Sequence, residues 1–179
     1  MEDVFVEQLV KKETNAVTAL LRVLIVAASV VLGLGLFWIS PYLGAFSIVG
    51  LAIGAGAFYG GYYLVTSFNV EFEYAVTNGI VDVDKIVHQR KRTRLASFDC
   101  KSVEAAGKYK KSEHEGKTYG KVIKACISEE EVSKPWYLTF TSANTSGLAL
   151  LVFNPDERTL NAIRPKLPRL LQKNVNLWN

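Results

Sequence analysis

From Val23 to Val70 the sequence contains no Asp, Glu, Lys or Arg, a run of 48 residues in a chain of 179. A simple water-soluble globule is ruled out by such a run. It is also too long for one membrane crossing, because about 20 helical residues span the ~30 Å hydrocarbon core. Two spans fit. The break falls at Ser40-Pro41-Tyr42, since proline lacks the amide that would continue a helix and restricts the residue before it. Span one is then expected near Leu21 to Ile39 and span two near Ala45 to Thr66. Both must be helical, because lipid offers no water to open backbone groups.

Charge sets the expected orientation. Residues 1–70 carry Lys11, Lys12 and Arg22 against four acids, whereas the remainder carries 18 Lys+Arg against 13 Asp+Glu, a net of +5. The connection between the spans has no basic residue, while Lys11, Lys12 and Arg22 precede span one and Lys85 to Arg94 follow span two. The positive-inside rule therefore predicts a multi-pass protein of the cell membrane with both termini cytoplasmic. Trp38, Tyr42 and Phe46 would form the outer aromatic belt, and Tyr62, Tyr63 and Phe68 the inner one. Arg22 is expected to snorkel to the cytoplasmic interface. The absence of a second deep ionisable group argues against an ion or proton pathway. The acidic start Met1-Glu2-Asp3 is unlike the basic leader of a cleavable signal peptide.

Span two is dense in small residues. Gly50 and Gly54 form one GxxxG, Gly56 and Gly60 another, and span one offers Ser29 and Gly33. Small residues at this spacing let helix backbones approach closely. They predict a packing face that serves the hairpin itself or, as the second choice, self-association. Ahead of the spans, Phe5 and Leu9, then Val6 and Val10, fall four apart, which predicts an interfacial helix within residues 1–20.

Past the membrane the period changes from helical to alternating. Val70, Phe72, Tyr74 and Val76 alternate with Glu71, Glu73, Ala75 and Thr77, a half-buried strand. Asn78-Gly79 then predicts a two-residue hairpin, because a type I′ turn needs positive φ at both central positions. That turn sets Val76 opposite Val81, Tyr74 opposite Val83, Phe72 opposite Lys85 and Val70 opposite Val87. Further strands are expected near residues 93–99, 119–128, 136–142 and 148–153, with a Lys-rich loop from Gly107 to Gly116 and a turn from Asn144 to Gly147. Asn154-Pro155-Asp156-Glu157 predicts a closing helix capped by Asn154, with Leu160, Ile163 and Leu167 on one face and an early kink at Pro165 and Pro168. The fold class is thus α+β: residues 1–20 as interfacial helix, 21–68 as a two-helix transmembrane hairpin, and 69–179 as an antiparallel β-barrel or sheet closed by a C-terminal helix.

Several strands followed by one helix resemble the order of a pleckstrin-homology-like (PH-like) domain. The stretches Tyr74-Ala75-Val76-Thr77-Asn78-Gly79, Val83-Asp84-Lys85-Ile86, Arg90-Lys91-Arg92-Thr93-Arg94 and Phe153-Asn154-Pro155-Asp156-Glu157 are similar to those of a family of short bacterial membrane proteins with a two-helix hairpin and a cytoplasmic PH-like domain. The resemblance implies architecture and no catalytic residues. PH-like domains of this kind serve as binding or scaffolding modules.

Function candidates follow from the same residues. Lys85, Arg90, Lys91, Arg92 and Arg94, with His88 among them, form a basic run suited to a protein partner or to anionic lipid headgroups, since arginine contacts phosphate in a bidentate manner. The bland alternative is a solvated turn that only sets topology. Lys108, Lys110, Lys111 and Lys117 could extend the patch, though Glu113 and Glu115 dilute it. An enzyme on a lipid or envelope substrate is disfavoured, because no nucleophile–base pair or paired carboxylates stand out, and Glu129-Glu130-Glu131 reads as a solvated hairpin end. Cys100, Cys126, His88 and His114 are isolated, so neither a metal, a cofactor nor a disulfide is expected. The modest excess charge without a recognition motif disfavours nucleic acid. The expectation is a non-enzymatic, membrane-anchored binding or scaffold module, with anionic-lipid recognition as the alternative.

Overall fold

The computed structural model describes residues 5–128, 133–141 and 147–173. The described chain forms two units: Thr14–Asn69 makes one, and the segments before and after it together make the other.

The first unit is helical. Helices α1 (Ala16–Ile39) and α2 (Ser47–Ser67) are joined by tight helical turns over Ser40–Phe46, where Gly44 leaves the helical path at φ 55° and ψ −119°. Pro41 opens this connection, as its chemistry requires. The stretch Ala16–Ser67 is long and apolar enough to cross a membrane by length and composition. The two helices pack antiparallel. Gly61 lies against Ser29, Gly54 lies against Leu36 and the Gly33 carbonyl, and Gly50 lies against Ser40 and Leu43. A Cβ added to Gly33 would overlap the Phe58 ring, and one on Gly61 would overlap Ser29. At Gly56 and Gly60, by contrast, a Cβ would meet nothing within 4 Å. The four glycines expected to act as one set therefore divide: Gly50 and Gly54 join Gly33 and Gly61 between the helices, while Gly56 and Gly60 face away. Polar side chains in this unit bond to the helices' own carbonyls, Ser29 to Val26 at 2.8 Å and Ser67 to Leu64 at 2.6 Å. Arg22 donates to the Phe68 carbonyl at 3.2 Å, placing a cation at the C-terminal end of α2.

The second unit begins with a correction. Residues expected in an interfacial helix form a strand, β1 (Phe5–Lys11), antiparallel to β2 (Val70–Thr77). Four is an even number, so residues four apart share a face in a strand as they nearly do in a helix. Here Val6, Gln8 and Val10 turn inward and Phe5, Glu7 and Leu9 outward. The helical unit is thus inserted in the chain between two paired strands.

From β2 the chain turns through Asn78 (φ 52°) and Gly79 (φ 93°) into β3 (Ile80–Val87), with the register that the turn predicts at all four pairs. Strand β4 (Lys91–Asp99) completes a sheet of order β1-β2-β3-β4. A second sheet follows, of order β5-β7-β8-β6, from β5 (Val103–Lys108), β6 (Lys121–Ala125), β7 (Trp136–Thr141) and β8 (Leu148–Phe153), with a one-turn helix α3 (Lys111–His114) before β6. Among the described residues the two sheets do not close into a barrel. Nor is the pairing wholly antiparallel, because β6 runs parallel to β8. Strand β5, Val-Glu-Ala-Ala-Gly-Lys, was expected as loop at its end and unassigned before it; its alanines and glycine carry little strand propensity. The expected turn at Asn144 and the Glu129-Glu130-Glu131 hairpin end lie outside the described residues, apart from Gly147 at φ 97°.

The core lies between the inner faces of the sheets. Phe98 stacks on Phe140 with ring centroids 3.9 Å apart, and Tyr74 meets Phe153 edge-on at 5.5 Å. Helix α4 (Glu157–Ile163) covers one end, burying Ala162, Ile163 and, past its last turn, Leu167. Its cap is Asp156, not Asn154 as expected: Asp156 Oδ1 accepts from the Thr159 amide at 2.7 Å. Pro165 sits in a tighter turn (Arg164–Lys166), and α5 (Arg169–Lys173) starts after Pro168. Both cysteines are buried free thiols, and burial with the nearby Asp99 charge pushes the Cys100 thiol up to about 12. It is therefore inert.

Asn154 serves instead as a buried junction. Its side chain accepts from the Ile127 amide at 2.7 Å and donates to the Ser133 carbonyl at 2.6 Å, while its backbone amide donates to the Tyr74 hydroxyl at 3.3 Å. The Tyr74 hydroxyl donates in turn to the Ala125 carbonyl. Gln8 of β1 donates to the Asn154 carbonyl at 2.9 Å and accepts from the Asp156 amide and the Thr159 hydroxyl, both at 2.8 Å.

Replacing Gln8 with Ala removes all three of these bonds and should cost about 1–3 kcal/mol, because it strands buried partners; urea denaturation of the full chain measures it. Acid should loosen the same end. Burial alone would raise the Asp156 carboxyl, but hydrogen bonds from Thr159 and Arg158 hold it below the usual carboxylate range. Its contribution is therefore present above the unfolded carboxylate pKa and lost as pH falls through the lower folded value. Asp156→Ala should cost about 0.5–2 kcal/mol at neutral pH, and the gap to the parent should close as the pH is lowered.

Candidate functional site

The basic run occupies β3, the following turn and β4, and divides between the faces of the first sheet: Arg92 and Arg94 share the outer face with Glu73 and Asp84, whereas Lys85, opposite Phe72, and Lys91, opposite Val87, fall on the inner one. Lys85 is half-buried, whereas Arg90 and Lys91 at the turn are exposed. His88 and Gln89, the two residues before Arg90, are held at φ 51° and 53°. Side chains with a Cβ adopt this region at a cost of about 1 kcal/mol.

Arg92 and Arg94 are held otherwise. Cross-strand pairing sets Glu73 of β2 directly opposite Asp84 of β3, and like charges so placed repel. Both carboxylates are buried, with side chains 8% and 5% exposed. Arg92 bridges them, contacting Glu73 and donating from Nε to Asp84 at 2.8 Å. Arg94 pairs with Asp84 and, at 2.8 Å, with Asp82. The bond to Asp84 is the main reason that the Arg94 guanidinium is held above its usual pKa. Glu71 is likewise covered, with Lys11 3.7 Å away. The acids that alternation predicted to face water are thus buried, Glu73 beneath Arg92 and Glu71 beside Lys11. Of the five basic residues singled out, the structure draws Arg92 and Arg94 into an ion-pair ladder and leaves Lys85, Arg90 and Lys91 outside it. Of the lysines that could extend the patch, Lys110 pairs with Glu113 at 3.5 Å.

A second site was not anticipated from the sequence. The outer face of the second sheet carries its own apolar cluster, Tyr109, Cys126, Leu150 and Val152, with Tyr119 and Tyr137 against it. The chain from α3 to β6 runs over this face. His114 lies edge-on to Tyr137 at 4.4 Å and stacks near Tyr109 at 5.2 Å, and its Nδ1 is 2.7 Å from the Tyr119 hydroxyl. Burial, and then the Lys117 charge, lower the His114 pKa, so its ring is uncharged at neutral pH. Beside it opens a pocket of about 420 Å³ lined by His114, Lys117, Tyr119, Tyr137, Thr139 and Leu148, among others. The tyrosines and His114 were visible in sequence only as isolated residues, because β5 and the return of β7 bring them together. Among the described residues no three His, Cys, Asp or Glu side chains assemble as metal ligands.

The family model described as bacterial PH-like domain (DUF6106) matches residues 2–173. The chain belongs to that family. The match runs from β1 through the helical unit to α5, so the insertion between β1 and β2 lies within the bacterial PH-like domain as the family defines it. No curated protein and no solved structure matches the chain. PH-like domains are in general binding modules, and the family match brings with it a fold rather than a set of reacting residues.

The ladder gives a contrast between neighbouring arginines. Arg92→Ala leaves the facing Glu73 and Asp84 without their shared cation and should destabilise the PH-like unit by about 1–3 kcal/mol. Arg90→Ala, two residues away on the exposed turn, should fall within about 0.5 kcal/mol of the parent. Denaturant midpoints of the two variants measure the difference.

Proposed function

We propose that this protein is a non-enzymatic binding and scaffold module of the cell membrane, anchored by α1 and α2 as a two-helix transmembrane hairpin, with the PH-like unit and both termini in the cytoplasm. In this reading it binds another protein or holds a membrane complex together. The observation that carries the reading is the surface of the helical unit. Trp38, Tyr42 and Ile48 are 75%, 88% and 76% exposed, and water-soluble domains rarely present so continuous an apolar surface without a partner for it. Lipid is the solvent that fits it, and the internally bonded serines fit the same solvent. Gly56 and Gly60 leave a small-residue face for a further helix, from a partner or a second copy. The alternative reading, recognition of anionic headgroups, rests on Lys85, Arg90 and Lys91 once Arg92 and Arg94 are spent on carboxylates.

Alkaline carbonate extraction of cells expressing the full chain should leave it in the membrane pellet. A cysteine placed at Tyr42 should react with a membrane-impermeant maleimide in intact cells, and one at Lys85 only after lysis. Release by carbonate, or the reverse labelling pattern, would overturn the anchor or its orientation. For the helix face, Gly56→Leu and Gly60→Leu should reduce cross-linked oligomer or co-purified partner while the monomer stays folded, whereas Gly61→Leu should disrupt the packing of α1 on α2.

A further inference from the structure

We propose that the pocket on the outer face of the second sheet is a binding site for a small aromatic carboxylic acid. The site lies wholly within the PH-like unit and is independent of the membrane reading. Its volume, about 420 Å³, is in the range of small-molecule sites. Its walls are the rings of Tyr119 and Tyr137 with the aliphatic groups of Leu148 and Ala105, surfaces that suit a flat apolar body.

Two polar atoms then specify what that body must carry. Thr139 is 4% exposed, yet its Oγ1 has no hydrogen-bond partner, and His114 Nε2 is buried with none. Buried polar atoms are almost always satisfied, and Thr139 lines the pocket. Its β-strand neighbours on the same sheet, Ala105 and Leu150, offer it no side-chain acceptor. The Oγ1 atom is itself covered, so an oxygen on the ligand would complete it once the Thr139 side chain turns toward the pocket. Lys117 is the one charged side chain among the described lining residues, and Glu113, whose charge also reaches His114 and Tyr137, is paired with Lys110, so the pocket favours an anion over a cation. An oxygen-bearing ring with one negative charge meets all three demands.

The test uses the full chain with three probes: 4-hydroxybenzoate, benzoate and the uncharged benzamide. Ligand-observed saturation-transfer NMR should detect both acids, with benzamide weaker, and the acids should raise the melting temperature. Thr139→Val should weaken 4-hydroxybenzoate by about tenfold or more and, because the hydroxyl has no partner in the unliganded chain, should leave the unliganded melting temperature unchanged or higher. Thr139→Ser, which keeps the hydroxyl, should retain binding. Lys117→Gln should weaken benzoate and spare benzamide. The proposal is overturned if none of the probes shows transfer at millimolar concentration, if Thr139→Val binds as the parent does, or if that substitution lowers the unliganded melting temperature, since the hydroxyl would then serve the fold.

Discussion

The hydrogen bonds converging on Tyr74 and Asn154 hold the PH-like unit together at the point where its parts come from the most distant stretches of chain. Tyr74 belongs to the first sheet, the Ala125 carbonyl to the second, Asn154 to the entry of α4, and Gln8 to a strand that precedes the helical unit. Hydrophobic contact alone would let these pieces slide, because apolar burial is not directional. A buried hydroxyl donating to one carbonyl and accepting from one amide admits a single register. Burial keeps the Tyr74 phenol protonated, its pKa raised far above the usual value, so the donor is retained at every physiological pH. In the low dielectric of the core each bond is also stronger than its counterpart in water.

The charged face of the first sheet obeys a different constraint. Two carboxylates opposed across β2 and β3 are a liability for pairing until a cation shared between them turns repulsion into a ladder. That explains why a basic stretch on β4 follows acidic positions on β2 and β3, and why a count of charges along the chain overstates how much positive charge the surface offers. The two arginines that look like part of a patch in one dimension are matched in three by three carboxylates, Glu73, Asp82 and Asp84.

What was legible in the sequence was whatever depends on near neighbours. The apolar run and its proline break, the Asn78-Gly79 turn with its register, and the closing helix all rest on interactions within a few residues. What was not legible depends on partners far along the chain. Phe5–Lys11 is a strand because Val70–Thr77 lies beside it, and in isolation seven residues cannot separate a period of two from one near four. Strand β6 aligns parallel to β8, a choice that leaves no mark on β6 itself. The cap moved from Asn154 to Asp156 because distant Ile127 and Ser133 compete for the Asn154 side chain. The aromatic pocket was hidden for the same reason, since His114, Tyr137 and Thr139 meet only when β5 and β7 pair.

The position of the helical unit between β1 and β2 has a consequence for synthesis. Strand β1 leaves the ribosome first, but its partner follows only after the apolar stretch Ala16–Ser67, 52 residues long. At ~5–20 residues per second that delay is roughly 3–10 s, during which β1 has no edge to pair with. The domain therefore cannot begin as its own first-made strand dictates. Its first sheet can start only from β2, which has β1 on one side and β3 on the other to pair with, once the apolar stretch has been made.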